Sequence, residues 1–136
     1  MARKPSNNSS EAFTPANEAQ FQRWVIRRAI ECGWLVYHTP AVPIAPSHSR
    51  YKRYFTPTQG HKGFPDLVLC HRETGVVIFA ELKTQRGAVQ AHQRTWHDAL
   101  RANPNNRFYL WRPQDKDAIE QILESKGVDN PNENKV

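Results

Sequence analysis

Only two cysteines occur in this chain, Cys32 and Cys70, and both sit in apolar settings. Two such thiols exclude a disulfide-stapled scaffold and read as reduced core residues, the usage of a cytoplasmic protein. They build no zinc centre either. Cys70-His71 and His92/His97 lack the paired C-x-x-C or H-x-x-x-H spacing that four-coordinate zinc needs. No apolar run approaches membrane-spanning length. There is no hydrophobic leader segment at the N-terminus and no internal repeat. Acidic residues are the minority charge: 13 Asp+Glu against 19 Lys+Arg give a net charge of +6 and a pI near 9.6. That balance points to a polyanionic partner and disfavours a protein–protein adaptor.

The informative stretch runs from Gly63 to Lys83. It reads G-F-P-D at 63–66, an apolar run at 67–70, a polar turn at 71–75, a second apolar run at 76–80, and E-L-K at 81–83. Two β-branched and aromatic runs around a turn ending in Gly are a hairpin signature. Counting outward from the turn centre near residues 73 and 74 puts Asp66 opposite Glu81 or within a residue of it. Side chains on a strand alternate faces, so Glu81 and Lys83 share one face and Leu82 takes the other. Gly63 permits a turn or a close backbone approach, and Pro65 suits a strand entry.

Taken singly, an Asp before a strand is a turn residue and Glu-x-Lys is a solvated face. Together they read differently. V-V-I-F-A at 76–80 is apolar on both faces, which marks a central, buried strand. A buried strand ending in two opposite charges needs a partner for them. Two carboxylates at one point bind a hard divalent cation, and an adjacent Lys can orient or activate a water. The chemistry this suggests is metal-assisted hydrolysis of a phosphodiester.

The rest of the chain supplies the frame. Residues 1–13 and 127–136 are polar and read as flexible tails. About 110 residues remain for a single domain, enough for one sheet and three helices. Thr14 as cap and Pro15 at the first position open a helix that runs to Cys32 and is ended by Gly33. Phe21, Val25, Ala29 and Cys32 form its apolar stripe. Glu18 projects onto that stripe, at a frayed end or aimed into a site. Residues 34–38 form the first strand. Residues 39–62 form a long connection that interleaves Arg50, Lys52, Arg53, His61 and Lys62 with Tyr51, Tyr54 and Phe55, a pattern suited to phosphates and bases. A basic turn containing Arg86 precedes a helix over residues 88–102. Its apolar row is Val89, Trp96 and Leu100, with Gln93 in the same inward row, and a buried Gln needs polar partners. A last strand at 107–111 and a helix at 115–126 complete the order α-β-β-β-α-β-α. The expected fold is α/β, a central mixed sheet flanked by helices. The step from the second hairpin strand to the last strand is expected to be a parallel crossover.

This arrangement resembles the PD-(D/E)xK nuclease superfamily, with its restriction-endonuclease-like core, and within it the small standalone VRR-NUC nucleases of phage and bacteria. The matching residues are Glu18, G-F-P-D at 63–66, E-L-K at 81–83 and Gln93. The resemblance covers roughly residues 14–125. It implies a divalent-metal-dependent DNA endonuclease using Mg²⁺, with Mn²⁺ accepted, and in several members activity on branched or structured DNA. It implies that Asp66 and Glu81 hold the metal with the Leu82 carbonyl as third oxygen ligand. Lys83 would act on the attacking water or on charge at phosphorus, Glu18 on a second metal or a water, and Gln93 on Lys83 or the phosphate. Arg50, Lys52, Arg53, Lys62 and Arg86 would contact DNA. A homodimer in the cytoplasm of a bacterium or phage-infected cell completes the expectation. The competing reading is a non-catalytic DNA-binding module that keeps the fold.

Overall fold

A tight hairpin organises the molecule. β4 (Leu67–His71) and β5 (Val77–Leu82) pair antiparallel, with Leu67 opposite Ala80 and Cys70 opposite Val77. The turn between them closes through Gly75 N–H to the His71 carbonyl at 2.9 Å and His71 N–H to the Val76 carbonyl at 3.0 Å. The computed structural model describes residues 13–38, 42–44, 53–55 and 59–128, at 42–44 and 53–55 for the backbone alone. β1 (Trp34–His38) pairs antiparallel with β4, and β6 (Arg107–Trp111) pairs parallel with β5. The sheet is therefore four-stranded and mixed, in the order β1-β4-β5-β6. The long connection is not wholly irregular as its length suggests. It holds β2 (Val42–Ile44) and β3 (Arg53–Phe55), which form a separate antiparallel pair.

Strand alternation sorts the side chains of β5. Ile78, Ala80 and Leu82 are fully buried with Leu67, Leu69 and Trp34 against Phe21, Val25 and Ala29 of α1 (Glu18–Glu31) and Ile119 and Leu123 of α3 (Lys116–Glu124). Each large apolar side chain shut away here contributes roughly 1.5–3 kcal/mol. The other face carries Phe79, which packs with Phe64 at 5.9 Å between ring centroids, and Phe64 packs in turn with Trp96 of α2 (Ala91–Arg101) at 5.0 Å. Parallel pairing of β5 and β6 requires a crossover, and α2 supplies it.

Two helix starts differ from expectation. α1 begins three residues later, because Asn17 rather than Thr14 is its cap: the Asn17 side chain accepts Gln20 N–H at 2.8 Å. α2 begins at Ala91 rather than residue 88, so Val89 lies ahead of the helix rather than in its apolar row. Phe13 and Gly127, assigned to the tails by composition, both pack. Phe13 meets Trp24 at 4.9 Å between centroids, and Gly127 lies buried beside Val76 and Trp34. Among the described residues no helix is long and apolar enough to cross a membrane.

Candidate active site

The hairpin register decides where the acids meet. Leu67 pairs with Ala80, so the same register carried one residue outward puts Asp66 opposite Glu81, as the strand count predicts. Asp66 Oδ2 accepts the Leu82 backbone N–H at 2.8 Å, which fixes the carboxylate against β5. Its own carbonyl is held from the other side. His38, the last residue of β1, donates from Nδ1 to the Asp66 carbonyl at 3.1 Å, and Gln22 of α1 lies 3.0 Å from that nitrogen. The approach to Asp66 is clamped to α2. Trp96 Nε1 donates to the His61 carbonyl at 3.2 Å. Gly63 has φ +99°, and a Cβ there would collide with the His92 carbonyl and sit 2.9 Å from the Gln93 nitrogen. Only glycine meets both demands without strain.

Glu81 is almost wholly buried. Its carboxyl is pushed up to about 10, first by burial, then by a hydrogen bond and the charge of Asp66; Glu18 adds to this and Lys83 opposes it. Glu81 is therefore held protonated at neutral pH, hydrogen-bonded to Asp66. The buried side chain against it on α2 is His97, whose Nε2 lies 3.4 Å from Glu81 Oε1. Burial, followed by the Arg101 charge, holds the His97 imidazole below its ordinary range. The pair is thus a hydrogen bond between two neutral groups rather than an ion pair. His97 also packs on Phe108, tilted by 35° with ring centroids 4.5 Å apart, and Arg101 covers the Phe108 ring from 4.7 Å.

Glu18 is the first residue of α1. Partial burial of its carboxyl raises its pKa most, the Asp66 charge raises it further, and Lys83 lowers it. The residue lies within electrostatic reach of both, which favours the site over a frayed end. Lys83 is half-buried, with its backbone N–H on the Trp111 carbonyl at 3.0 Å. Its charge acts on Glu81, Glu18 and His97 together. The turn after it is fixed by Arg112, whose guanidinium donates to the carbonyls of Thr84 at 2.6 Å and Gly87 at 2.8 Å.

Gln93 is half-buried on the face of α2 that also carries His97. Its Oε1 accepts Gln90 N–H at 2.9 Å and caps the start of α2, which satisfies that oxygen locally. The inward residue one turn on is His97, read in the sequence only for zinc spacing. The signal that could have found it is its i+4 relation to Gln93 on one helix face. Lys62 and Arg86 are exposed. Arg53 opens β3, and Arg50 and Lys52 lie outside the described residues. Among the described residues no three His, Cys, Asp or Glu side chains gather closely enough to hold an ion unaided.

Comparison with known proteins bears on the family and the fold. The profile of the VRR-NUC domain matches residues 17–115. A solved structure described as a VRR_NUC domain shares the fold with a TM-score of 0.50 at 21% identity, covering 79% of this chain and 94% of that one. No curated protein matches the chain.

Proposed function

The chain belongs to the VRR-NUC family of the PD-(D/E)xK nuclease superfamily, and we propose that it is a divalent-metal-dependent endonuclease that hydrolyses DNA phosphodiester bonds. One observation carries this reading: the hairpin register brings Asp66 and the buried Glu81 to one point, with Lys83 within electrostatic reach. Like charges so placed call for a cation.

The donor set fits Mg²⁺. Asp66 and Glu81 bring oxygen donors, the Leu82 carbonyl is the third that the family resemblance adds, and the Glu18 carboxyl lies within electrostatic reach. Mg²⁺ is held by one or two carboxylates plus substrate phosphate and water, rather than by an all-protein cage. Asp66, Glu81 and the Leu82 carbonyl would hold it, and Mn²⁺ would substitute. When bound, the ion neutralises phosphate charge and makes a neighbouring water more acidic.

The protein's own groups do the rest. Leu82 N–H holds Asp66 in place, and His97 holds Glu81. Lys83, beside both, orients the attacking water or stabilises charge growing on the phosphate oxygens. Glu18 accepts a hydrogen bond from a water at the rim. Hydrolysis adds water's oxygen to phosphorus and breaks a P–O bond to the sugar. Branched DNA cut by a homodimer is the finer reading, supported by the family resemblance and by the need to engage two strands.

Nicking of supercoiled plasmid and of branched DNA, with Mg²⁺ and with a chelator, tests the reading. Cleavage is expected only with the metal. Cleavage that survives exhaustive chelation would remove the metal from the mechanism, and no cleavage of any DNA with Mg²⁺ or Mn²⁺ would reject the enzyme.

A further inference from the structure

A second basic feature lies on the outer face of α1. Gln20, Arg23, Trp24 and Arg27 follow the i, i+3, i+4, i+7 spacing of one helix stripe. Facing them are Phe13, Thr14 and Pro15. These residues enclose a cleft of about 430 Å³, within the range of ordinary small-ligand sites. No carboxylate lines it.

Its charges are not spent on the protein. Arg28, the neighbouring residue, contacts Glu31, Glu120 and Glu124. Arg23 and Arg27 have no acidic partner among the described residues, although they line the cleft. Lys116 stands at the edge, with Nζ 5.9 Å from the ring centroids of both Phe13 and Trp24, but that charge already pairs with Glu120 at 3.6 Å. An apolar wall of Phe13 and Trp24 would accept any greasy body. Unpaired guanidiniums beside it select a body that also carries negative charge. A nucleotide has both parts, a phosphate for the Arg fork and a base with an aromatic face for the rings.

We infer that this cleft binds one nucleotide of a nucleic-acid strand, with Arg23 and Arg27 on the phosphate and Trp24 and Phe13 against the base. The choice of a strand over a free nucleotide rests on the nuclease reading. Glu18 begins the same helix, so a strand leaving the acidic site has a short path to the cleft.

The test uses the full chain in chelator, so that nothing is cut. Binding of a fluorescent single-stranded oligonucleotide is followed by anisotropy at several salt concentrations. Arg23→Ala/Arg27→Ala, an exposed pair, is expected to keep the wild-type circular dichroism. It should weaken binding about 10-fold or more and flatten the log–log salt slope by about 0.7, the share of one single-strand phosphate. Trp24→Leu should weaken binding without changing the slope. If the arginine variant binds like wild type with an unchanged slope, the cleft is not a nucleic-acid site. A mononucleotide that binds wild type as tightly as the oligonucleotide makes it a free-nucleotide site and overturns the strand assignment. Wild type that binds the oligonucleotide at this cleft but cuts no DNA when Mg²⁺ is restored sinks the nuclease reading alone and leaves the cleft standing.

Discussion

Glu81 Oε1 lies 3.4 Å from His97 Nε2, with 1% and 2% of the two side chains exposed. Two groups that could form an ion pair are instead both held neutral. Burial is the leading cause for each, and it acts in opposite directions on an acid and a base.

The first prediction is a pH dependence of stability in the absence of metal. Glu81 is raised from 4.5 to about 10. Its contribution is fully present below 4.5 and is lost as pH rises toward 10. His97 is lowered from 6.5, so its contribution is lost as pH falls below that value. From 4.5 to 6.5 the two oppose each other; above 6.5 the Glu81 trend stands alone. In chelator, the urea midpoint should fall steadily from pH 6.5 to 9.5. Glu81→Gln should flatten that fall. A wild-type midpoint that stays level over this range would show that Glu81 does not carry the proton.

On the proposed reading, a metal held by Glu81 displaces that proton. The stabilisation by Mg²⁺ or Mn²⁺ should therefore grow with pH, with proton release on binding. Thermal shifts at pH 6.5 and 8.5 measure it, and Glu81→Gln should show almost none. Equal shifts at both pH values would separate metal binding from Glu81.

His97 should act through Glu81. His97→Leu keeps the volume but leaves Glu81 Oε1 without its partner, and about 10–100-fold in Mn²⁺ affinity is expected to be lost. His97→Gln, which can still donate, should recover part of it. Calorimetric titration with Mn²⁺ reads the effect whether or not DNA is cut. Identical affinity in wild type and His97→Leu would assign His97 to packing alone.

At the chemistry itself, Asp66→Asn and Glu81→Gln should each abolish cleavage while DNA binding holds or tightens, since each removes negative charge near phosphate. Lys83→Ala should slow cleavage about 100-fold or more, the scale of one lost transition-state donor. Lys83→Arg should restore it only in part, because the guanidinium is larger and always charged. Single-turnover rates decide it, and unchanged rates in both lysine variants would remove Lys83 from the reaction.

Gly63 and Gly60 make a matched pair. Their φ angles are +99° and +97°, but a Cβ at Gly60 meets open space while one at Gly63 meets α2. Backbone strain of roughly 1–3 kcal/mol applies to both on substitution by Ala. Only Gly63→Ala should also weaken Mn²⁺ binding, by shifting the segment that leads into Asp66. Equal losses of stability and metal affinity in the two variants would show that the contact with α2 does not matter.

The hairpin was legible in sequence because it is local. Two apolar runs and a turn fix its register by counting, and the count carried Asp66 to Glu81. The parallel partner β6 was legible for a similar reason, since a helix-length segment separates two apolar runs. Gln93 is half-buried as its row predicts, although its oxygen caps α2. The step of one turn from Gln93 to His97 was there to be read, but that His97 meets Glu81 depends on how α2 sits on the sheet, which spacing does not give. The start of α1 was placed three residues early because Thr14-Pro15 carries a complete helix-start signal, while the cap in use is Asn17.

The pairing of His38 with Leu67, and the His38 hydrogen bond to the Asp66 carbonyl, bring the two ends of the 39–66 excursion to one point. Trp96 and Gly63 then tie its returning limb to α2. The excursion therefore leaves and re-enters through a closed neck. Residues between 39 and 60 can be lengthened, shortened or exchanged at a cost that grows only slowly with length, and the acids below need not shift. Exchanging that segment between relatives is therefore expected to leave Mn²⁺ binding at Asp66 and Glu81 unchanged, as calorimetric titration would read.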